Sequence, residues 1–581
     1  MRNVLDIDRS ILGQAWRWRA LADDQRSGFV PDDLVTQILL SRGCPREALD
    51  DHRAPSIRGF MPDPSIFRDM DKGAARLADA VERGEAVAIF GDYDVDGATS
   101  SALLVLLLRA LGRDARVYIP DRLKEGYGPN AAAMHLLAGE GATLIVTVDC
   151  GAQAFEALAD VPVDVLVVDH HKCASDLPRA HAVVNPNRLD ETDGAAHGHL
   201  AAVGVCFLLA AATVRVLRAR GYFADRAEPR LLDLLDLVAL GTVADVAQLR
   251  GLNRAFVAQG LKVMAGRRNP GIAALIEASR LTRAPTATDL GFALGPRINA
   301  GGRVGLADLG VRLLTTQDAG EARAIAAELD RLNEERRAIE AIVQEGAETS
   351  IVADRGVVVV AGQGWHPGVI GIVAGRLKEK LGRPAIVIAV DEHGVGKGSG
   401  RSITGVDLGA AILAAKEHGL LVAGGGHAMA AGLTVAADRI DALAAFLDER
   451  LAEAVAQATA NRALLLDTVL APGGVTPDLV QALEAGGPYG TGWPSPRVAV
   501  GPVRTIKVDV VGNGHVRAIV AGEDGRSIKA MAFRAADTPL GQALLAAGPT
   551  RRLWLAGRAK IDDWGSRPAA ELHLDDAAWA N

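Results

Sequence analysis

Aromatic residues are scarce: Phe, Trp and Tyr together make up 4% of the 581 residues. Hydrophobic residues reach 49%, so large cores can form, but Ala, Leu and Val must build them. Cysteine is also scarce. Cys44, Cys150, Cys173 and Cys206 form no CxxC pair, which excludes a zinc knuckle, and they are too few for a disulfide framework. This usage fits a reducing cytoplasm. There is no excess of positive charge. The formal net charge of −8 excludes a uniformly basic nucleic-acid coat but leaves room for a local basic groove. Long hydrophobic runs are missing too. The longest, near 102–108 and 203–217, fall short of the roughly 20 residues of a membrane span. Charges interrupt the opening MRNVLDIDRS, so it does not read as a signal peptide. A cytoplasmic chain with no membrane partner is expected. No low-complexity segment or short internal repeat stands out.

A chain of this length accommodates about three or four domains of roughly 100–200 residues. Residues 1–75 are mixed and read as an N-terminal segment packing on the core. From 76 to 320, short apolar runs alternate with helical stretches. Those at 86–90, 115–119, 144–148 and 165–168 are each followed by Gly, Asp or Pro, with helices predicted over 98–111 and 131–139. That is the pattern of a parallel sheet covered on both faces. Residues 321–349 carry mixed charge without proline and predict a long exposed helix joining two domains. A smaller α/β domain follows over 350–455. From 462 to 581 the chain is β-rich. Gly512-Asn513-Gly514 between two β runs signals a hairpin, and about five strands suggest a small barrel of OB type. The fold class is therefore α/β, with two α/β domains joined by a helix and a C-terminal β-barrel.

Three of the parallel-sheet runs end in acid. Asp92-Tyr93-Asp94-Val95-Asp96-Gly97 follows the first, with Gly97 and Ala98 turning into a helix that Thr99 begins. Asp149 follows the third run and Asp169-His170-His171 the fourth. Ligands of open parallel sheets bind beyond the carboxyl ends of the strands, so these carboxylates are expected at one crevice. Three acids at alternate positions repel one another unless cations neutralise them, and hard oxygen ligands suit Mg²⁺ or Mn²⁺. The plainer reading of each run alone is a solvated loop or a helix cap. Imidazole beside carboxylate shifts the preference toward Mn²⁺ or Zn²⁺. Adjacent histidines on an irregular segment point apart, so one can bind metal while the other faces substrate. Asp245, in Gly241-Thr242-Val243-Ala244-Asp245-Val246, follows an apolar helix at 231–240, where an unpaired carboxylate is costly.

In this order, DYDVDG, VDCG, DHH and GTVADV resemble the four motifs of the DHH phosphoesterase superfamily. The resemblance implies two divalent metals, Mn²⁺ preferred and Mg²⁺ the alternative, that activate water to cut phosphate esters. It assigns Asp96, Asp149, His170 and Asp245 to one metal and Asp94 with the bridging Asp149 to the other. His171 is assigned to the scissile phosphate. Many relatives carry a metal-binding His four residues before the position of Asp94. Here that residue is Phe90, so the metal such a His would bind loses a protein ligand unless Asp92 substitutes.

Gly295-Pro296-Arg297-Ile298-Asn299-Ala300-Gly301-Gly302-Arg303 resembles a segment of RecJ-type single-strand DNA exonucleases. So do the stretches around His366, Gly398-Ser399-Gly400-Arg401-Ser402, and Gly424 to Gly432 with His427. The resemblance implies a DHH catalytic domain, a DHHA1 substrate-binding domain and an OB-fold. Arg297, Asn299 and Arg303 are suited to phosphate oxygens. Arg401, Ser399 and Ser402 are expected at a terminal phosphate. Tyr127, in Glu125-Gly126-Tyr127-Gly128, is either a base-stacking ring or a partly buried one. The implied activity is 5′→3′ exonuclease action on single-stranded DNA in repair and recombination. A monomer is the default, with a single-strand binding protein and a RecQ-type helicase as suggested partners. The rivals are another DHH phosphodiesterase (an oligoribonuclease, cyclic-dinucleotide phosphodiesterase or pyrophosphatase) and a non-catalytic DNA-binding scaffold.

Overall fold

The computed structural model describes residues 3–19, 33–122, 124–562 and 568–580. They form two compact units, Phe60–Asn461 and the combination of Met1–Gly59 with Arg462–Asn581.

The Phe60–Asn461 unit begins with helix α1 (Met70–Arg83) and a five-stranded parallel sheet. Its strands are β1 (Val87–Gly91), β2 (Ala115–Tyr118), β3 (Leu144–Val148), β4 (Asp164–Val168) and β5 (Ala182–Val184), in the order β2-β1-β3-β4-β5. All five residues of β1 and of β3 are buried, as expected for a sheet covered on both faces. From β1 the chain goes first to one side, to β2, and then to the other, to β3. This reversal is where ligands bind in such sheets.

Helix α2 (Val95–Ala110) starts three residues before the predicted 98–111, because Asp94 caps it by accepting from the Gly97 N–H at 3.0 Å. Asp96 thus lies in the first helical turn rather than in a loop. Gly97 is required there, since a Cβ would stand 2.3 Å from the Asp92 carbonyl oxygen. Helix α3 (Ala202–Ala219) is long and apolar enough to cross a membrane by composition, but 72% of that stretch is buried in this unit, as in a core helix. Helix α4 (Leu235–Ala244) ends at Asp245. Helix α5 (Gly295–Val304) carries the glycine- and arginine-rich segment and follows one π-helical turn, Leu290–Leu294.

Helix α6 (Ala319–Thr349) is the long joining helix, but it is not exposed throughout. Ala322, Ile325, Leu329, Leu332 and Val343 bury one face, and Asn333, Arg336 and Glu340 are buried with them. Beyond it lies a second five-stranded sheet of β6 (Val358–Gln363), β7 (Ala385–Val390), β8 (Val395–Arg401), β9 (Ala423–His427) and β10 (Ala430–Ala436). Its order is β9-β10-β8-β7-β6, with only β6 and β7 parallel.

The other unit holds a barrel of β11 (Val498–Val511), β12 (His515–Gly522), β13 (Ser527–Ala532), β14 (Arg552–Asp562) and β15 (Ala569–Trp579). The order β11-β12-β13-β15-β14 closes through pairing of β14 with β11, the OB arrangement. Residues 1–75, expected to pack on the catalytic core, divide. Residues 1–59 belong with the barrel, where Ala15–Trp18 pairs in parallel with Ala463–Leu466. Trp16 explains this: fully buried, it packs in a cluster with Leu464, Leu466 and Ala499, and its indole N–H donates to Asp576 at 3.0 Å. Only 60–75 join the core, where Met70 is buried.

Candidate active site

Strands β1, β3 and β4 end at one edge of the parallel sheet, and each passes directly to Asp92, Asp149 or Asp169. Asp149 has φ of 61°, a left-handed conformation costly for most side chains and tolerated best by Asn and Asp. Asp96 is fully buried and accepts from the N–H groups of Ala202 (2.7 Å) and Val203 (2.9 Å) at the start of α3. The positive end of that helix favours the carboxylate. Gly241 on α4 lets this happen at close range: a Cβ there would meet Thr99 Oγ1 at 2.2 Å and Asp96 Oδ1 at 3.0 Å.

Asp169 organises the histidines. One oxygen accepts from the N–H groups of His170 (2.7 Å) and His171 (3.1 Å) and from His171 Nδ1 (2.8 Å), while the other accepts from Ala152 N (3.0 Å). Burial would raise its pKa, but the His171 bond and the two imidazole charges hold it down to about 2. His171 responds in kind. Burial opposes its protonation, yet the bond and charge of Asp169 lift it to about 9. His170 Nδ1 donates to the Leu200 carbonyl at 3.1 Å, which leaves Nε2 as the free ligand atom. Burial, then the neighbouring His171, push His170 down to about 4.

Asp92, Asp96, Asp149 and Asp245 carry the opposite signature. Burial, then Asp94, raise Asp92 to about 8 and Asp96 to about 7. Burial, then Asp96 and Asp94, raise Asp245 to about 8. Asp149 is pushed well above the usual carboxylate range by burial and by Asp96, Asp94 and Asp92. Asp92 Oδ1, Asp149 Oδ1 and His170 Nε2 are buried without a hydrogen-bond partner. Crowded acids with orphaned acceptors are what a cation would satisfy. The candidate ligand atoms fall into overlapping groups. Asp96, His170 and Asp245 form one; Asp92, Asp94 and Asp149 form another; Asp149 also groups with His170 and His171. In each group the atoms lie within 4.8 Å of one another. Two sites sharing Asp149 fit this donor set.

Phe90 is fully buried, stacked on Tyr118 with ring centroids 5.5 Å apart, in the apolar cluster with Met134 and Leu137. Asp92, two residues on, supplies a carboxylate to the group of Asp94 and Asp149 instead. Tyr127 leaves its ring half exposed, while its hydroxyl donates to the Asp149 carbonyl and stands 3.1 Å from His171 Nδ1.

Arg122, Arg303, Lys397 and Arg401 line a cavity of about 640 Å³, together with Ser399 and Tyr127. No acid lines it among the described residues. The crowding tells: burial, then Arg122 and Arg336, lower Arg303 to about 10, and burial and Arg122 lower Arg401. Ser399 Oγ accepts from Arg401 at 3.1 Å. A second cavity, of about 860 Å³, includes Tyr127, His171 and His427.

Three residues expected at phosphates bond within the protein, His366 through Nδ1 alone. Arg297 is buried and committed to Asp330 (2.8 Å) and to the Ala293 carbonyl (2.7 Å), so it pins α5 to α6 rather than facing a phosphate. Ser402 is buried and donates to the Val406 carbonyl at 2.7 Å. His366 Nδ1 accepts from Gly368 N within its own turn. Asn299 is half buried on α5 and lines neither cavity. Conversely, Arg122 and Lys397 were not singled out. Lys397 lies one residue before the Gly-Ser-Gly-Arg-Ser motif on β8, a usable signal; nothing local distinguishes Arg122 from a surface arginine.

Fold and site together define a phosphoesterase of the DHH class. The chain matches the DHH family N-terminal domain over residues 86–242, the DHHA1 domain over 354–453 and the RecJ OB domain over 466–576. The chain belongs to the RecJ family. It is 36% identical over 561 residues to the single-stranded-DNA-specific exonuclease RecJ of Escherichia coli, covering 94% of this chain and 95% of that protein. Identity to the protein of the same description from Dickeya dadantii is 40%, over 80% of this chain and 83% of the relative. Thermus thermophilus RecJ, solved in complex with Mn²⁺, superposes with a TM-score of 0.76 at 30% identity, covering 94% of this chain and 76% of that one. The same protein in complex with Mg²⁺ gives 0.72 at 29% identity, covering 94% and 75%.

Proposed function

We propose that the chain is a single-stranded-DNA-specific exonuclease that releases 5′-mononucleotides in the 5′→3′ direction and acts in the cytoplasm in DNA repair and recombination. The observation that carries this reading is the convergence of Asp92, Asp94, Asp96, Asp149, His170 and Asp245, with three orphaned buried ligand atoms, beside a cavity lined by four cations.

Asp96, Asp149, His170 through Nε2, and Asp245 would hold one divalent cation, and Asp92, Asp94 and Asp149 another. The imidazole favours Mn²⁺, with Mg²⁺ the alternative. When bound, such a pair supplies an acidified water and offsets charge on attacking and leaving oxygens. The protein's own groups do the rest. His171, kept protonated by Asp169, offers a proton donor and a positive charge to the scissile phosphate. Tyr127 fixes the position of that imidazole. Arg303, Arg401, Ser399, Arg122 and Lys397 receive the terminal 5′-phosphate, and Arg forks suit that geometry. The barrel supplies a further single-strand surface. A single-strand binding protein and a RecQ-type helicase as partners, and a monomeric state, belong to this reading through the family alone.

The test is hydrolysis of 5′- or 3′-labelled single strands, duplexes and RNA with Mn²⁺. Mononucleotides released only from the 5′ end of single-stranded DNA support the assignment. Asp149→Ala should abolish cleavage while retaining the fold; substantial Mn²⁺-dependent activity in that variant rejects the shared ligand.

A further inference from the structure

The two cavities beside the active site differ in chemistry. The 640 Å³ cavity is cationic and suits a phosphate. The 860 Å³ cavity has no Lys or Arg in its lining among the described residues. It offers instead two aromatic rings, Tyr127 and Phe155, and two neutral amides, Asn130 and Gln153. Small residues such as Gly151 and Ala152 give it flat walls. A site with exposed rings and neutral amides, whose one charged imidazole, His171, stands at the reacting phosphate, suits a nucleobase, whose faces stack and whose edges hydrogen-bond. Tyr127 is 54% exposed and Phe155 37%, and Phe155 is not part of the apolar cluster of Met134 and Leu137. Gln153 Nε2 donates to the Lys172 carbonyl, which orients the amide and leaves its oxygen available as an acceptor.

The placement says which base. Tyr127 is common to both cavities, whereas His171 and Asp169 line only the larger one. A strand whose terminal phosphate sits among Arg122, Arg303 and Arg401 and whose scissile phosphate sits at His171 must continue past His171. We infer that the larger cavity seats the base of the second nucleotide, on the 3′ side of the cut, between Tyr127 and Phe155. This rests on the exonuclease reading and adds a subsite to it. Gripping the strand beyond the cut holds the scissile phosphate in register while the first nucleotide leaves.

The experiment uses 5′-phosphorylated single strands that are intact, abasic at the second position or abasic at the first, with wild type, Phe155→Ala and Phe155→Trp. Wild type should lose about 10-fold in kcat/KM on the strand abasic at position two, the scale of one lost stacking contact. Phe155→Ala should lose a similar factor on the intact strand and show no further loss on the abasic one. Phe155→Trp should restore discrimination. Indifference of the wild type to the second base, sensitivity at the first base instead, or an equal Phe155→Ala loss on both strands overturns the subsite while leaving the exonuclease reading intact. No cleavage of intact strands removes both.

Discussion

Asp149 Oδ1 and His170 Nε2 face each other across 3.2 Å, both buried, with no hydrogen bond between them or to any other group. A proton bridging the two would satisfy either atom. Burial lowers His170 to about 4, so without a cation the proton belongs to Asp149, whose carboxyl is held well above the usual range; a shared cation would replace it.

Metal and pH should act on stability together. In chelator, Asp92 and Asp245 titrate near 8 and Asp96 near 7, whereas in the unfolded chain carboxyls titrate near 4. The folded state therefore binds more protons, and stability falls as pH rises. His171, lifted to about 9, adds to the loss above about 6.5; His170, lowered to about 4, opposes it only below about 6.5. Thermal denaturation of the chelated protein should show a Tm several degrees lower at pH 8 than at pH 6.5, and saturating Mn²⁺ should cancel the difference. A Tm independent of pH in chelator would contradict the buried-carboxylate account.

The two sites should not be equal. The group of Asp92, Asp94 and Asp149 has no imidazole, since Phe90 occupies the core. Calorimetric titration with Mn²⁺ should resolve a tighter and a weaker site, and Asp92→Ala should weaken the latter by about 10-fold or more. Two sites of equal affinity would overturn the inequality, and no effect of Asp92→Ala would remove Asp92 from the ligand set.

Arg401→Ala should cut kcat/KM on 5′-phosphorylated strands by about 10- to 100-fold, the worth of a charged hydrogen bond to phosphate. Strands with a 5′-hydroxyl should be nearly unaffected, and Arg122→Ala should act in the same sense. Equal losses on both substrates would place these arginines elsewhere along the strand.

Arg297→Ala tests a correction. Breaking a largely buried pair leaves Asp330 uncompensated, at a cost of about 3–5 kcal/mol. Tm should drop while KM for single strands stays unchanged in the folded fraction. A raised KM at unaltered Tm would return Arg297 to the phosphate path.

Much of this was legible in advance because β runs ending in acid state both the strand and its ligand. Asp92, Asp149 and Asp169 could be placed at one sheet edge without coordinates, and α6 announced itself by its charge pattern. The arginines were less legible. Arg297 and Arg303 lie six residues apart in one motif, yet one turns to Asp330 and the other toward the cavity; helix rotation and the identity of the facing helix decide that, and neither is local. Asp94 as a helix cap was obscured because a capping carboxylate and a metal ligand look alike in a run of alternating acids. The buried face of α6 was hidden by Asn333, Arg336 and Glu340, polar residues joined inside by Arg336, which donates to both the others.

The pairing of Ala15–Trp18 with Ala463–Leu466 has a consequence in time. About 450 residues separate the partners, so at about 5–20 residues per second the ribosome needs tens of seconds to deliver the second after the first. Throughout that interval Trp16 and its neighbours have no barrel to enter, while Phe60–Asn461 is being made. Removing the barrel alone would make the interval permanent, so a soluble truncation should lose both ends, not one.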